Sequence, residues 1–142
     1  MMYKFLRVSF MLAMVAYLAT TPITAFASNH EFGGKGHYFT NTADTYLTAF
    51  YKKTDNDGNW YISISKKSNL SEANIFGCRM HRDLGSGKDN VDYYHLISKK
   101  VKGYPFAYQS SVKKGQKMRM GYKKDSSSTT SKTLKVSGKF AP

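Results

Sequence analysis

The sequence has a single cysteine, Cys78, among 142 residues, so no disulfide can form within the chain. Small domains from oxidising compartments usually lean on disulfides. Here the apolar core has to hold the fold alone, and Cys78, at the end of the apolar run Ile75–Cys78, reads as a buried small hydrophobe. Acidic residues are scarce as well: 9 Asp and Glu against 22 Lys and Arg, for a net charge of +13. Only Glu31 and Glu72 are glutamates, which leaves no evident carboxylate pair for glycosidic cleavage. There is no Gly-rich phosphate loop and no visible Ser–His–Asp or Cys–His arrangement. Beyond residue 27 no stretch carries a 3.6-residue apolar period, which argues against a helical domain. No internal repeat and no long linker divides the chain.

What is present begins with a leader. Lys4 and Arg7 precede the apolar run Val8–Ala19, Pro22 breaks it, and Ala25–Phe26–Ala27 follows as a small-x-small cleavage site. The run has 12 residues, and a membrane-spanning helix needs about 20. Residues 1–27 are therefore expected to be a cleaved signal peptide, with the protein acting outside the cell or at its surface. Losing Lys4 and Arg7 with the leader lowers the net charge from +13 to +11, still a strong positive field for one domain. Without an intramolecular disulfide, the chain fits a bacterial extracytoplasmic protein better than an animal secreted module.

Residues 28–36 are Gly-rich and polar and read as a loose N-terminal arm, ahead of a single domain over residues 37–142. Period-2 segments follow. Thr45–Lys53 and Asn59–Lys66 flank Asp55–Gly58, a strong turn sequence, and are expected to form a hairpin with Trp60, Ile62 and Ile64 on one face. Further strands are expected at Ile75–Arg82, Val91–Ser98, Tyr104–Ser111, Gln116–Lys123 and Lys132–Phe140. Six to seven short strands point to an all-β fold, a small antiparallel β-sandwich. If the last two strands pair, Lys117, Arg119 and Lys123 join Lys135 and Lys139 in one basic plate, with Lys113, Lys114 and Lys124 beside it. Those eight residues are the expected anion contacts; the alternative is a solvated face whose lysines guard a sheet edge.

Other groups carry weaker chemistry. Asp55, Asp57 and Asn59 imitate half a calcium loop, but Trp60 and Lys66 stand where glycine and a carboxylate belong. The four histidines, His30, His37, His81 and His95, show no metal-site spacing beyond Cys78 with His81, so neither a metal nor another cofactor is expected. His81 and His95, flanked by Arg79 and Arg82, can be imagined as an acid and base pair of a secreted nuclease. Trp60, Phe50 and Phe76 read as core, whereas Tyr104, Phe106 and Tyr108, near Lys100 and Lys102, read as exposed aromatic contacts.

The stretches Tyr51–Tyr61 (YKKTDNDGNWY) and Ser126–Phe140 (SSSTTSKTLKVSGKF) resemble a family of small secreted proteins from Gram-positive bacteria, known as a domain of unknown function. Phe140 stands where members often carry Trp, their acidic tail is missing, and the chain is more basic. The resemblance implies an extracellular location and a β-rich fold, and supplies no catalytic residues. The expected role is non-catalytic binding of anionic wall polymer or lipid headgroups by a monomer, with nucleic acid a less favoured partner. A bacteriocin-like antagonist and the small nuclease are the alternatives.

Overall fold

The computed structural model describes residues 29–43 and 45–142. The expected signal peptide lies outside them. Ten strands are found among the described residues, with no helix: β1 His30–Phe39, β2 Thr45–Leu47, β3 Tyr51–Lys52, β4 Asn59–Ile64, β5 Phe76–Asp83, β6 Lys88–Asn90, β7 His95–Ile97, β8 Tyr104–Ala107, β9 Lys117–Lys124 and β10 Leu134–Ala141. Sheet I has the order β1-β10-β4-β8. Sheet II has six strands in four ranks, because β2 and β3 share one side of β9 while β6 and β7 share one side of β5. All pairings are antiparallel, and the two sheets form an open sandwich.

Alternation produces this packing directly. Trp60, Ile62 and Ile64 of β4 and Leu134, Val136 and Phe140 of β10 turn inward from sheet I. Phe76, Cys78 and Met80 of β5 and Met118, Met120 and Tyr122 of β9 meet them from sheet II. Aromatic rings cross the gap, with Phe32 edge-on to Tyr122 at 5.4 Å between centroids. Cys78 is fully buried, and burial, then the nearby Asp92 carboxylate, pushes its thiol pKa well up. Asp92 ties the sheets together. Its buried carboxylate accepts from the Trp60 indole N–H at 2.6 Å and the Met80 amide at 2.8 Å, and pairs with His95 at 3.1 Å.

Three expectations about connectivity fail. Thr45–Lys53 and Asn59–Lys66 do not form a hairpin: β2 and β3 pair with β9, and β4 pairs with β10 and β8. The Asp55–Gly58 segment is an arch between sheets. Its side chains satisfy its own backbone, with Asp55 accepting from the Asp57 amide and Asp57 from the Asn59 amide, both at 3.1 Å. The buried Lys53 ammonium secures it through Asp55 at 2.7 Å and the Asn59 carbonyl at 3.1 Å. Asn-, Asp- and Gly-rich turns tolerate either use. Likewise β9 and β10 lie in opposite sheets, so the single plate expected from their pairing does not exist. Finally, the expected loose arm is most of β1, which pairs along β10 with a register shift between Phe32 and His37. Gly33 makes that irregularity possible: its φ is +78°, and a β-carbon there would collide with the Val136 carbonyl.

Candidate functional site

The outward face of sheet II follows from the strands that build the core. Because Met118, Met120 and Tyr122 point inward, Lys117, Arg119, Gly121 and Lys123 point outward. The same parity turns Gly77, Arg79, His81 and Asp83 outward from β5. The register places Gly77 opposite Lys123, Arg79 opposite Gly121 and His81 opposite Arg119. On the other flank Lys52 lies opposite Lys117, Leu47 opposite Gly121 and Thr45 opposite Lys123. Among the described residues, Lys52, Lys117, Arg119, Arg79 and Lys123 therefore share one face. Like charges set directly opposite, as in Lys52 and Lys117, weaken a strand pair. Asp83, the acid at the end of this face, spends an oxygen on the Gly85 amide at 2.9 Å.

The two glycines shape the surface between these charges. Both have ordinary negative-φ strand backbone, so their role here is the space they leave. A β-carbon on Gly121 would meet His81 Nε2 at 2.7 Å and Leu47 Cδ2 at 3.2 Å. At Gly77 it would run into the Tyr94 ring, which lies across that position. A cleft of about 360 Å³ results, with Gly121 on its floor and Arg79, His81, Tyr94, Lys123 and Leu47 around it. The Arg79 guanidinium and the Lys123 ammonium stand 5.8 and 5.7 Å from the Tyr94 ring centre. Arg119 covers the Phe50 ring at 4.4 Å. These ring contacts leave the guanidiniums charged, and the buried Nε atoms of Arg79 and Arg119 find no hydrogen-bond partner among the described residues.

Burial, and then the neighbouring Asp125 carboxylate, raises the Tyr94 pKa, so the hydroxyl stays neutral. Burial alone would raise the Asp125 carboxyl, but hydrogen bonds from the Ser127 side chain and amide hold it below its ordinary value. Asp125 is thus an occupied anion at the rim.

The eight expected anion contacts separate into four groups. Lys117, Arg119 and Lys123 belong to the sheet II face. Lys113 and Lys114 are exposed in the turn that leads into β9. Lys135 and Lys139 lie on the outward face of sheet I, on the other side of the molecule, where Lys139 approaches Glu31 at 3.8 Å and Lys135 stands over the Tyr38 ring at 5.7 Å. Lys124 is no surface contact: it is 3% exposed, and its ammonium donates to the carbonyls of Thr130 and Lys132, both at 2.8 Å. Its parity sends it inward with Met118, Met120 and Tyr122. Arg79 and Lys52 were the missed members of the face. Only the pairing of β5 and β3 with β9 reveals them, although outward alternation in Ile75–Arg82 was a usable signal for Arg79.

Of the expected aromatic contacts, Tyr104 is half exposed, while Phe106 stacks on His95 at 3.8 Å and Tyr108 packs against the core. Phe50, expected in the core, is only partly buried beneath Arg119. His81 and His95 sit on opposite faces of sheet II. His95 pairs with Cys78 on the inner side, between Asp92, Trp60 and Phe106, while His81 lines the outer cleft. They cannot act on one substrate together. Among the described residues no three His, Cys, Asp or Glu side chains converge as a metal site, and no helix is long and apolar enough to cross a membrane. Compared with family models, curated proteins and solved structures, the chain matches none.

Proposed function

We propose that this chain is a secreted, non-catalytic binding protein of a Gram-positive cell envelope, and that the outward face of sheet II engages anionic wall polymer or lipid headgroups. One observation carries the reading: Lys52, Lys117, Arg119, Arg79 and Lys123 share a continuous sheet face with no carboxylate between them. Such a face gains free energy from a polyanion that no contact within the fold supplies, and a ligand offsets the repulsion between the paired cations. The leader motif and the resemblance to secreted Gram-positive proteins supply the location.

The test is co-sedimentation of purified protein with Gram-positive cell walls at low and high salt. Binding at low salt that collapses above ~0.5 M salt is the expected result, since exposed charges are screened there within a few ångströms. Absence of binding at low salt refutes the reading.

A further inference from the structure

We propose that the sheet II trough binds an extended polyol-phosphodiester chain, with successive phosphates held by successive ranks of the sheet. This rests on the envelope-binding reading and names the chemistry of its ligand. Outward positions along a strand repeat every ~6.8 Å, and neighbouring strands lie ~4.8 Å apart. Following β9, the outward ranks carry Lys117, then Arg119, then Arg79 across from Gly121, then Lys123 across from Gly77. Each of these positions therefore offers a cation from β9 or from β5, the first with Lys52 beside Lys117, and the cations form a row. A phosphodiester polymer with a three-carbon alcohol between phosphates repeats its charge on about the same interval when extended. Uronic-acid polymers, with one carboxylate per disaccharide or one rigid ring per charge, match neither the interval nor the narrow trough. The two arginines also suit phosphate, whose oxygens accept paired N–H donors from a guanidinium fork.

The floor of the trough distinguishes this ligand from single-stranded nucleic acid, whose phosphates have a similar spacing. Binders of single strands offer aromatic faces on which successive bases stack. Here the Phe50 ring is covered by Arg119, and the Tyr94 ring is flanked by Arg79 and Lys123. Between the cations lie Gly121 and Leu47, a slim aliphatic channel with a neutral tyrosine hydroxyl at one side. A polyol chain, with hydroxyls and no rings to stack, fits a channel of that kind.

The experiment measures binding of soluble poly(glycerol phosphate) to purified protein by titration calorimetry. Oligo(dT), polygalacturonate and phosphatidylglycerol vesicles serve as competing probes at equal charge concentration and equal salt. The expected result is at least tenfold tighter binding of poly(glycerol phosphate) than of each other probe. Gly121→Ala keeps every charge and fills the floor, where the nearest atoms are the side-chain ends of His81 and Leu47. It should weaken poly(glycerol phosphate) at least fivefold while oligo(dT) binding changes less than twofold. Arg79→Gln, at a partly exposed position, is the second variant and should reduce poly(glycerol phosphate) affinity at least fivefold. Equal affinity for all polymers overturns the inference and leaves wall binding intact; tighter binding of oligo(dT) or of the vesicles overturns it in favour of that ligand. Failure to sediment with walls at low salt removes both proposals.

Discussion

The two outward faces of this sandwich, one of four strands and one of six, carry very different surfaces. On sheet I each cation of β10 has a local companion, with Lys139 beside Glu31 and Lys135 over Tyr38. Between them run small hydroxyl residues, Ser63, Ser65 and Ser137. On sheet II Lys52 faces Lys117 directly, Arg79 and Lys123 stand across from Gly121 and Gly77, and Gly121 keeps the floor low while the Tyr94 ring lies over Gly77. Sheet I is thus partly compensated: an acid stands beside Lys139, whereas Lys135 keeps its charge over Tyr38 as Arg79 and Lys123 do over Tyr94. Sheet II leaves its charge uncompensated and its floor low, and both features cost stability unless something binds there. Counting lysines along the chain does not distinguish the two; only the pairing partner of each strand does.

The sharpest way to break this comparison is to reverse charge on each face separately. Replacing Lys117, Arg119 and Lys123 together by Glu should lower wall affinity about a hundredfold at low salt, taking about 1 kcal/mol for each exposed contact. Replacing Lys135 and Lys139 by Glu should change it less than threefold. Sedimentation isotherms read both, and equal losses for the two variants would show that net charge alone governs binding.

Much of this was legible in the sequence, and the rest failed for one reason. Alternation identified the inner faces of β4, β9 and β10 down to single residues, because a half-buried strand imposes its period on composition. Alternation does not reveal which strand lies alongside. The Asp55–Gly58 segment has hairpin chemistry, yet it carries the chain from sheet II to sheet I, with Lys53 holding the arch. Because β9 and β10 diverge in the same way, Lys135 and Lys139 lie off the sheet II face. Lys124 shows the limit most clearly. It differs from Lys123 by one position in the sequence and by a whole face in the structure; its parity with Met118, Met120 and Tyr122 places it inward, and its charge alone suggests the surface.

That contrast between neighbours gives the next prediction. Lys124→Ala removes two charge-assisted hydrogen bonds that pin the 125–133 loop, and it leaves the Thr130 and Lys132 carbonyls without their donor. A loss of about 2–3 kcal/mol in urea unfolding is expected, with wall affinity of the folded protein unchanged within twofold. Lys123→Ala should do the reverse, weakening binding several-fold with unfolding shifted by less than ~0.5 kcal/mol. If Lys124→Ala weakened wall binding as much as Lys123→Ala, the division of β9 into an inner and an outer face would lose its functional meaning.

The smallest expected effect concerns pH, and it belongs to sheet I. The Tyr61 hydroxyl donates to the Asp57 carboxylate. That bond, the largest contribution, together with bonds from Asn59, holds Asp57 below its ordinary 3.8, and the same contact raises Tyr61 above its ordinary 10.0. The signs fix two windows. A depressed carboxyl adds stability that is present above pH 3.8 and is lost as pH falls through the folded value. A raised phenol adds stability that is present below pH 10.0 and is lost as pH rises through its folded value. Tyr61→Phe should therefore flatten both limbs of the stability profile at once and lower the plateau by less than ~1 kcal/mol, since the pair is at the surface and partly screened by solvent. Unfolding curves collected from pH 2.5 to 11 read this directly. Loss of only one limb would mean that the two groups do not titrate against each other. Wall binding of Tyr61→Phe should stay at the parental level throughout, because Tyr61 lies on the partly compensated face.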